Sequence, residues 1–193
     1  MRLNRRPLLG ALLCAALGLA TEAQAAATLV CRSERALYTL NSDPAFTAGF
    51  IPSQHFASMA SDLYFWVRSP QRTYWFTFDI SNGYGGISLG PVGDPYVAAD
   101  GDPDNGPVTF EVGDLNAGSL NVYPMLADMT VLNSPPSLGD PAPDALFAPE
   151  LGSLLWYEPR AITQDKTAMR DPMDRGVFRL TGCLAETPKA GYP

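Results

Sequence analysis

Residues 64–80 read Y-F-W-V-R-S-P-Q-R-T-Y-W-F-T-F-D-I. Two runs of aromatic and β-branched residues flank a short S-P-Q-R break, which is strand–turn–strand chemistry. Pro70 fixes its own φ and suits a type I turn better than the primed turns of the tightest hairpins. A loop of two or four residues sets one parity, and a three-residue loop would scramble it. The first parity places Phe65 opposite Phe76 and Val67 opposite Tyr74, with Phe78 and Ile80 extending the core face. The other face then carries Tyr64, Trp66 and Arg68 beside Thr73, Trp75, Thr77 and Asp79, with the two tryptophans as direct neighbours.

The rest of the chain has the same character. Its 18 prolines and 17 glycines exceed average usage and divide it into short segments. Almost no window carries the apolar repeat of a long helix. Strands are expected near 27–32, 35–40, 63–68, 73–80, 86–90, 108–112, 119–124, 128–133, 154–158 and 176–184. Helical turns are expected near 44–50 and 144–151, and residues 133–149 form a proline-rich loop. These segments predict an all-β single domain, an antiparallel two-sheet β-sandwich with a barrel as the alternative.

The first 25 residues have the form of an export signal. Arg2, Arg5 and Arg6 precede an apolar run, and Ala23-Gln24-Ala25 gives a small-x-small cleavage pattern. The pair Arg5-Arg6 is similar to a twin-arginine signal, but an ordinary secretory signal accounts for it more simply. Cys14 in the apolar run follows Leu13, where a lipoprotein signal needs a small residue. The mature domain is therefore read as residues 26–193, periplasmic or secreted, with no further stretch apolar enough to span a bilayer. Cys31 and Cys183 remain, and an even pair in an exported chain reads as a disulfide joining the first strand to the last.

The chain has 13 basic and 20 acidic residues, net −7. Removing the signal leaves about −9, which argues against a nucleic-acid or anionic-membrane partner. No lysine or arginine occurs between Arg72 and Arg160, a stretch with twelve carboxylates. Those carboxylates must be solvated, bonded to backbone N–H groups, bound to cations or paired with distant arginines. A fold returning Arg160, Lys166, Arg170, Arg175 and Arg179 over the acidic middle would supply the last.

Two loops bear on chemistry. In D-G-D-P-D-N-G-P-V-T-F-E, residues 100–111, Asp100, Asp102, Asp104 and Glu111 occupy positions one, three, five and twelve of an EF-hand spacing. Position six is Asn105 and not glycine, Pro107 stands at position eight, and the flanks read as strands. The loop is therefore turn chemistry first and a candidate structural Ca2+ site second, with Asp94 or Asp114 as further ligands. Gly86-Ile87-Ser88-Leu89-Gly90 matches G-x-S-x-G, but P-V-G-D-P follows it and cannot start the helix that a nucleophile elbow needs. His55, the only histidine, precedes that serine, and one histidine cannot build a usual zinc site.

The aromatic face of the hairpin is either packed beneath another element, the simpler reading, or exposed as a shelf. Sugar rings stack on such shelves while Arg68 and Asp79 bond their hydroxyls. The leading expectation is an exported, non-catalytic binding or envelope-associated module. Its candidate glycan site is Tyr64, Trp66, Arg68, Trp75 and Asp79. One alternative is a carboxylate-dependent hydrolase of a polysaccharide or cell-envelope substrate, drawing on Asp79, Glu111, Glu150 and Glu158. Another is a structural subunit packing through the aromatic face against a second chain.

Overall fold

A computed structural model describes residues 30–54, 57–80, 86–102, 105–111, 120–163 and 165–193. The export segment, Cys14, His55, Asp104 and Asp114 lie outside the described residues.

Among the described residues, eight strands form one closed antiparallel barrel in simple sequence order. They are β1 (Ala36–Leu40), β2 (Thr47–Pro52), β3 (Leu63–Arg68), β4 (Thr73–Ile80), β5 (Ile87–Val92), β6 (Asn121–Met125), β7 (Ala145–Phe147) and β8 (Val177–Cys183). One α-helix, α1 (Leu151–Tyr157), lies between β7 and β8. The barrel, and not the sandwich, is formed because β8 pairs with β1 as well as with β7. Closure of this kind removes the free edges that two packed sheets would keep.

The β3–β4 hairpin has the anticipated register: Phe65 faces Phe76, Trp66 faces Trp75, Val67 faces Tyr74 and Arg68 faces Thr73. Its connection is therefore the four residues 69–72. Ser69 Oγ accepts the Gln71 and Arg72 backbone N–H groups, both at 3.1 Å, and so fixes the turn. Phe65, Phe76 and Phe78 point inward with Tyr38, Phe50 and Phe178, all essentially inaccessible to solvent. Phe50 contacts Tyr38, Phe65 and Phe78 at centroid separations of 5.6, 5.7 and 6.1 Å. Leu151, Leu154 and Leu155 of α1 join the same core. The lumen is thus packed with side chains. Ile80, at the strand end, emerges half exposed and is not core. On β1 and β8 the outward positions carry Leu37 and Thr39, and Val177, Arg179 and Thr181. No helix among the described residues is long and apolar enough to cross a membrane.

Several local expectations are corrected. Residues 47–52, which overlap the helical turn expected at 44–50, form β2, because Ala48 and Phe50 fill interior positions that only a strand presents. Residues 154–158 are not a strand. The run L-G-S-L-L-W-Y is α1, with Leu151, Leu154 and Leu155 buried on one helical face. The expected helical turn at 144–151 is instead β7 followed by the start of α1. Among the described residues, 108–111 and 128–133 contribute only single bridges, Val92 to Thr109 and Met125 to Val131, and residue 112 lies outside them. Of the strand expected at 27–32, residues 27–29 lie outside the described residues, and Arg32 makes one bridge to Pro141 before a 3-10 turn at Ser33–Arg35.

The disulfide Cys31–Cys183 is present, with Cα atoms 5.7 Å apart. It lies at the β1–β8 seam, where Arg35 Nε also donates to the Leu184 carbonyl at 2.6 Å. Such a bond fits an oxidising environment outside the cytoplasm.

Candidate functional site

The outer face of β2–β5 carries a second apolar cluster: Ile51, Tyr64, Trp66, Trp75 and Val92. Tyr64, Trp66 and Trp75 are 2%, 1% and 8% exposed. The face is therefore covered and is not an open shelf. Two segments cover it. The C-terminal segment brings Tyr192 edge-on to Trp66 at 5.7 Å, and the loop after β5 brings Tyr96 perpendicular to Trp75 at 6.3 Å. Burial raises the pKa of both covering phenols, with Asp94 adding to the effect at Tyr96.

The cover is incomplete over Trp75. A cavity of about 430 Å³ opens there, walled by Trp75, Tyr96 and Tyr192 and rimmed by Arg72, Thr73 and Asp165. Each wall has a local cause. Trp75 is an outward position of β4. Tyr96 is held by an Asx turn in which its N–H donates to Asp94 Oδ1 at 2.9 Å. Tyr192 is set by a turn in which its N–H donates to the Lys189 carbonyl at 3.1 Å. The rim is ionic: Arg72 Nη1 meets Asp165 Oδ2 at 3.2 Å. The Thr167 hydroxyl and N–H, together with Arg72, hold Asp165 below the usual carboxylate range. The volume falls within the range of small-ligand sites, and aromatic walls with a few fixed polar groups are their common chemistry.

The anticipated site residues separate in space. Trp75 walls the cavity. Tyr64 and Trp66 are packed behind it, and Trp66 Nε1 has no hydrogen-bond partner among the described residues. Arg68 is exposed at the end of β3 and acts electrostatically on Tyr192. Asp79 is exposed four residues beyond Trp75, about 14 Å along the strand. Arg72, Tyr96, Asp165 and Tyr192 were not anticipated. Arg72 lies in the β3–β4 turn beside Trp75, while Tyr96, Asp165 and Tyr192 come from segments distant in sequence.

In the acidic loop, Asp100 adopts φ 59° and the Asn105 N–H donates to the Asp102 carbonyl at 3.0 Å, so turn chemistry is present. Asp100, Asp102 and Glu111 are exposed, and Asp104 lies outside the described residues. Among the described residues no three acidic, histidine or cysteine side chains gather as a metal-ligand group. Ser88 lies within β5, paired with Asp79 and Asn121, so G-x-S-x-G is plain strand here. The carboxylates considered for hydrolysis sit on separate elements. Asp79 is on β4, Glu111 follows the Thr109 bridge, and Glu150 and Glu158 bracket α1 about 12 Å apart along its axis.

The basic C-terminal segment does return to the barrel, but among the described residues it makes no ion pair with the acidic middle. Among the described residues the ion pairs are Arg72–Asp165 and Lys189–Glu186. Asp94 and Asp128 accept backbone N–H groups instead.

Compared with known family models, curated proteins and solved structures, the chain matches none.

Proposed function

We propose that this chain is an exported, non-catalytic binding module of the periplasm or extracellular space, and that its ligand is a glycan held in the Trp75 cavity. The observation that supports this reading most is the union of aromatic walls with a charged and hydroxyl rim in one cavity on a barrel whose lumen is filled. A sugar ring offers apolar C–H faces to Trp75 and Tyr96, and hydroxyls to Arg72, Asp165 and Thr73.

The test is binding to a panel of immobilised neutral glycans, followed by calorimetry on any hit. Tyr96→Ala and Arg72→Gln should each weaken binding at least tenfold, with the thermal midpoint of Tyr96→Ala little changed. Absence of binding across the panel, or unchanged affinity in Tyr96→Ala, would remove the cavity as the site. A structural calcium ion at residues 100–111 is a separable part of the proposal. It rests on the spacing of Asp100, Asp102, Asp104 and Glu111 and carries no step of ligand binding.

A further inference from the structure

We infer a second ligand site at the C-terminal turn of α1, built to take an acidic polysaccharide rich in uronic acid. Leu151, Leu154 and Leu155 bury one face of the helix, which turns its last two residues, Trp156 and Tyr157, toward solvent. They are 37% and 64% exposed, and Met169 beside them is 65% exposed. Large apolar side chains left open in this way, next to polar groups, mark a surface that meets something.

Two clefts adjoin Tyr157. One, about 280 Å³, lies against Ser153, Trp156 and Arg175. The other, about 360 Å³, lies against Arg160, Met169 and Arg170. The exposed phenol ring therefore stands between two recesses. That arrangement suits a chain of rings laid across it better than the single flat patch of a protein interface.

The charge at this place is opposite to that of the molecule. The 87 residues from Thr73 to Pro159 contain no cation. The next sixteen supply Arg160, Lys166, Arg170 and Arg175. None of these four has a carboxylate partner among the described residues. Arg170 instead lies over the Trp156 ring at 5.2 Å, and Arg175 Nε donates to the Pro149 carbonyl at 3.3 Å. Arg170 is thus held in place and keeps its charge available, as cation–π packing allows. Glu158 and Asp174 also line the clefts, where they can accept sugar hydroxyls. The nearby Asp165 is paired with Arg72, and Asp171 is buried and bonded to Ser69 and Tyr74. A uronate chain meets both halves of this surface: ring faces on Tyr157 and Trp156, carboxylates on the guanidinium groups.

This inference stands apart from the Trp75 cavity and is tested separately. The oxidised chain is titrated calorimetrically with oligogalacturonate and with oligomers of alginate, at low and at elevated salt. A neutral cello-oligosaccharide and poly-L-glutamate serve as controls. At least one uronate should bind, more weakly at elevated salt because the charges are exposed. Tyr157→Ala should lower its affinity at least tenfold, as should the pair Arg160→Gln and Arg170→Gln. Tyr96→Ala should leave it unchanged. Tyr157 is exposed, so its variant should keep the wild-type thermal midpoint. Failure of both uronates to bind would overturn the inference. So would equal affinity for poly-L-glutamate, which would make the surface a site for acidic peptide, or equal affinity for the neutral sugar.

Discussion

Gly49 on β2 and Trp66 on β3 are cross-strand partners, and the indole occupies the space that a Cβ at position 49 would need. Such a Cβ would lie 2.6 Å from Trp66 Cζ2 and 2.6 Å from the Ala36 carbonyl oxygen. The ring is held from its other surroundings by Tyr192, so neither neighbour has room to yield. Gly49→Ala is expected to cost about 1–3 kcal/mol by overpacking. Urea unfolding followed by tryptophan fluorescence measures this, and an unchanged midpoint would show that the indole repacks freely.

The disulfide closes a loop with a sequence separation of 152. The chain-entropy treatment assigns such a closure about 5 kcal/mol, with about 2–4 kcal/mol the usual realised value. Replacing Cys31 and Cys183 together by serine should therefore lower stability by about 2–4 kcal/mol. Comparing urea midpoints of the oxidised chain and the double variant tests it.

Alkaline pH should unfold the barrel. Tyr38 and Tyr74 are buried, and burial pushes both phenols well above their ordinary value of 10.0. Asp144 adds to this at Tyr38, and Asp171 adds to it at Tyr74. The folded state therefore keeps these protons where the unfolded chain gives them up. The resulting stabilisation is complete below about pH 10, the unfolded phenol value, and falls as pH rises above it. Ultraviolet difference absorbance should show two phenols ionising only with the loss of tertiary circular dichroism. Ionisation of all tyrosines before unfolding would contradict the assignment.

Tyr74 also donates to Asp171 Oδ2 at 2.6 Å, and Ser69 Oγ donates to the same oxygen at 2.7 Å. This ties the β3–β4 turn to the segment preceding β8. Asp171→Ala removes the acceptor of Tyr74 and leaves Ser69 only the Arg72 carbonyl at 3.2 Å, and it should cost about 2–4 kcal/mol, since bonds to charged groups carry about 1.5–3 kcal/mol each and are not additive. Asp171→Asn, which keeps one acceptor oxygen, should lose less. Equal losses in the two variants would show that the carboxylate charge, and not its accepting geometry, matters here.

Calcium at residues 100–111 would raise the thermal midpoint. At a hundred times the dissociation constant the gain is about 2.7 kcal/mol. Melting with calcium, with magnesium and with a chelator measures it, and Asp102→Ala should cancel it. An equal midpoint in all three conditions would leave the loop as an acidic turn.

The register of the β3–β4 hairpin is legible because its two aromatic runs and the proline turn constrain it together, although Ile80, expected in the core, emerges half exposed. β2 is not legible. T-A-G-F-I-P is short, broken by glycine and ended by proline, and only the interior places of Ala48 and Phe50 make it a strand. α1 was misread because L-L-W-Y is apolar in either period, and its burial pattern depends on the core it meets. The choice between sandwich and barrel rests on β8 meeting β1, a pairing of segments more than 130 residues apart. Trp75 pointed to one wall of the cavity. The remaining walls come from Arg72, Asp94–Tyr96, the loop before Asp165 and the C-terminal turn, whose meeting is a property of the closed barrel alone.

The seam between β1 and β8 is the only junction of the barrel crossed by a covalent bond, among the described residues. If it parted, Ala36–Leu40 and Val177–Cys183 would each present a row of unpaired amide groups flanked by apolar side chains. Such rows are templates for pairing with other chains. Cys31 and Cys183 therefore guard against aggregation as well as unfolding, keeping the ladder from adding strands that belong to a neighbour.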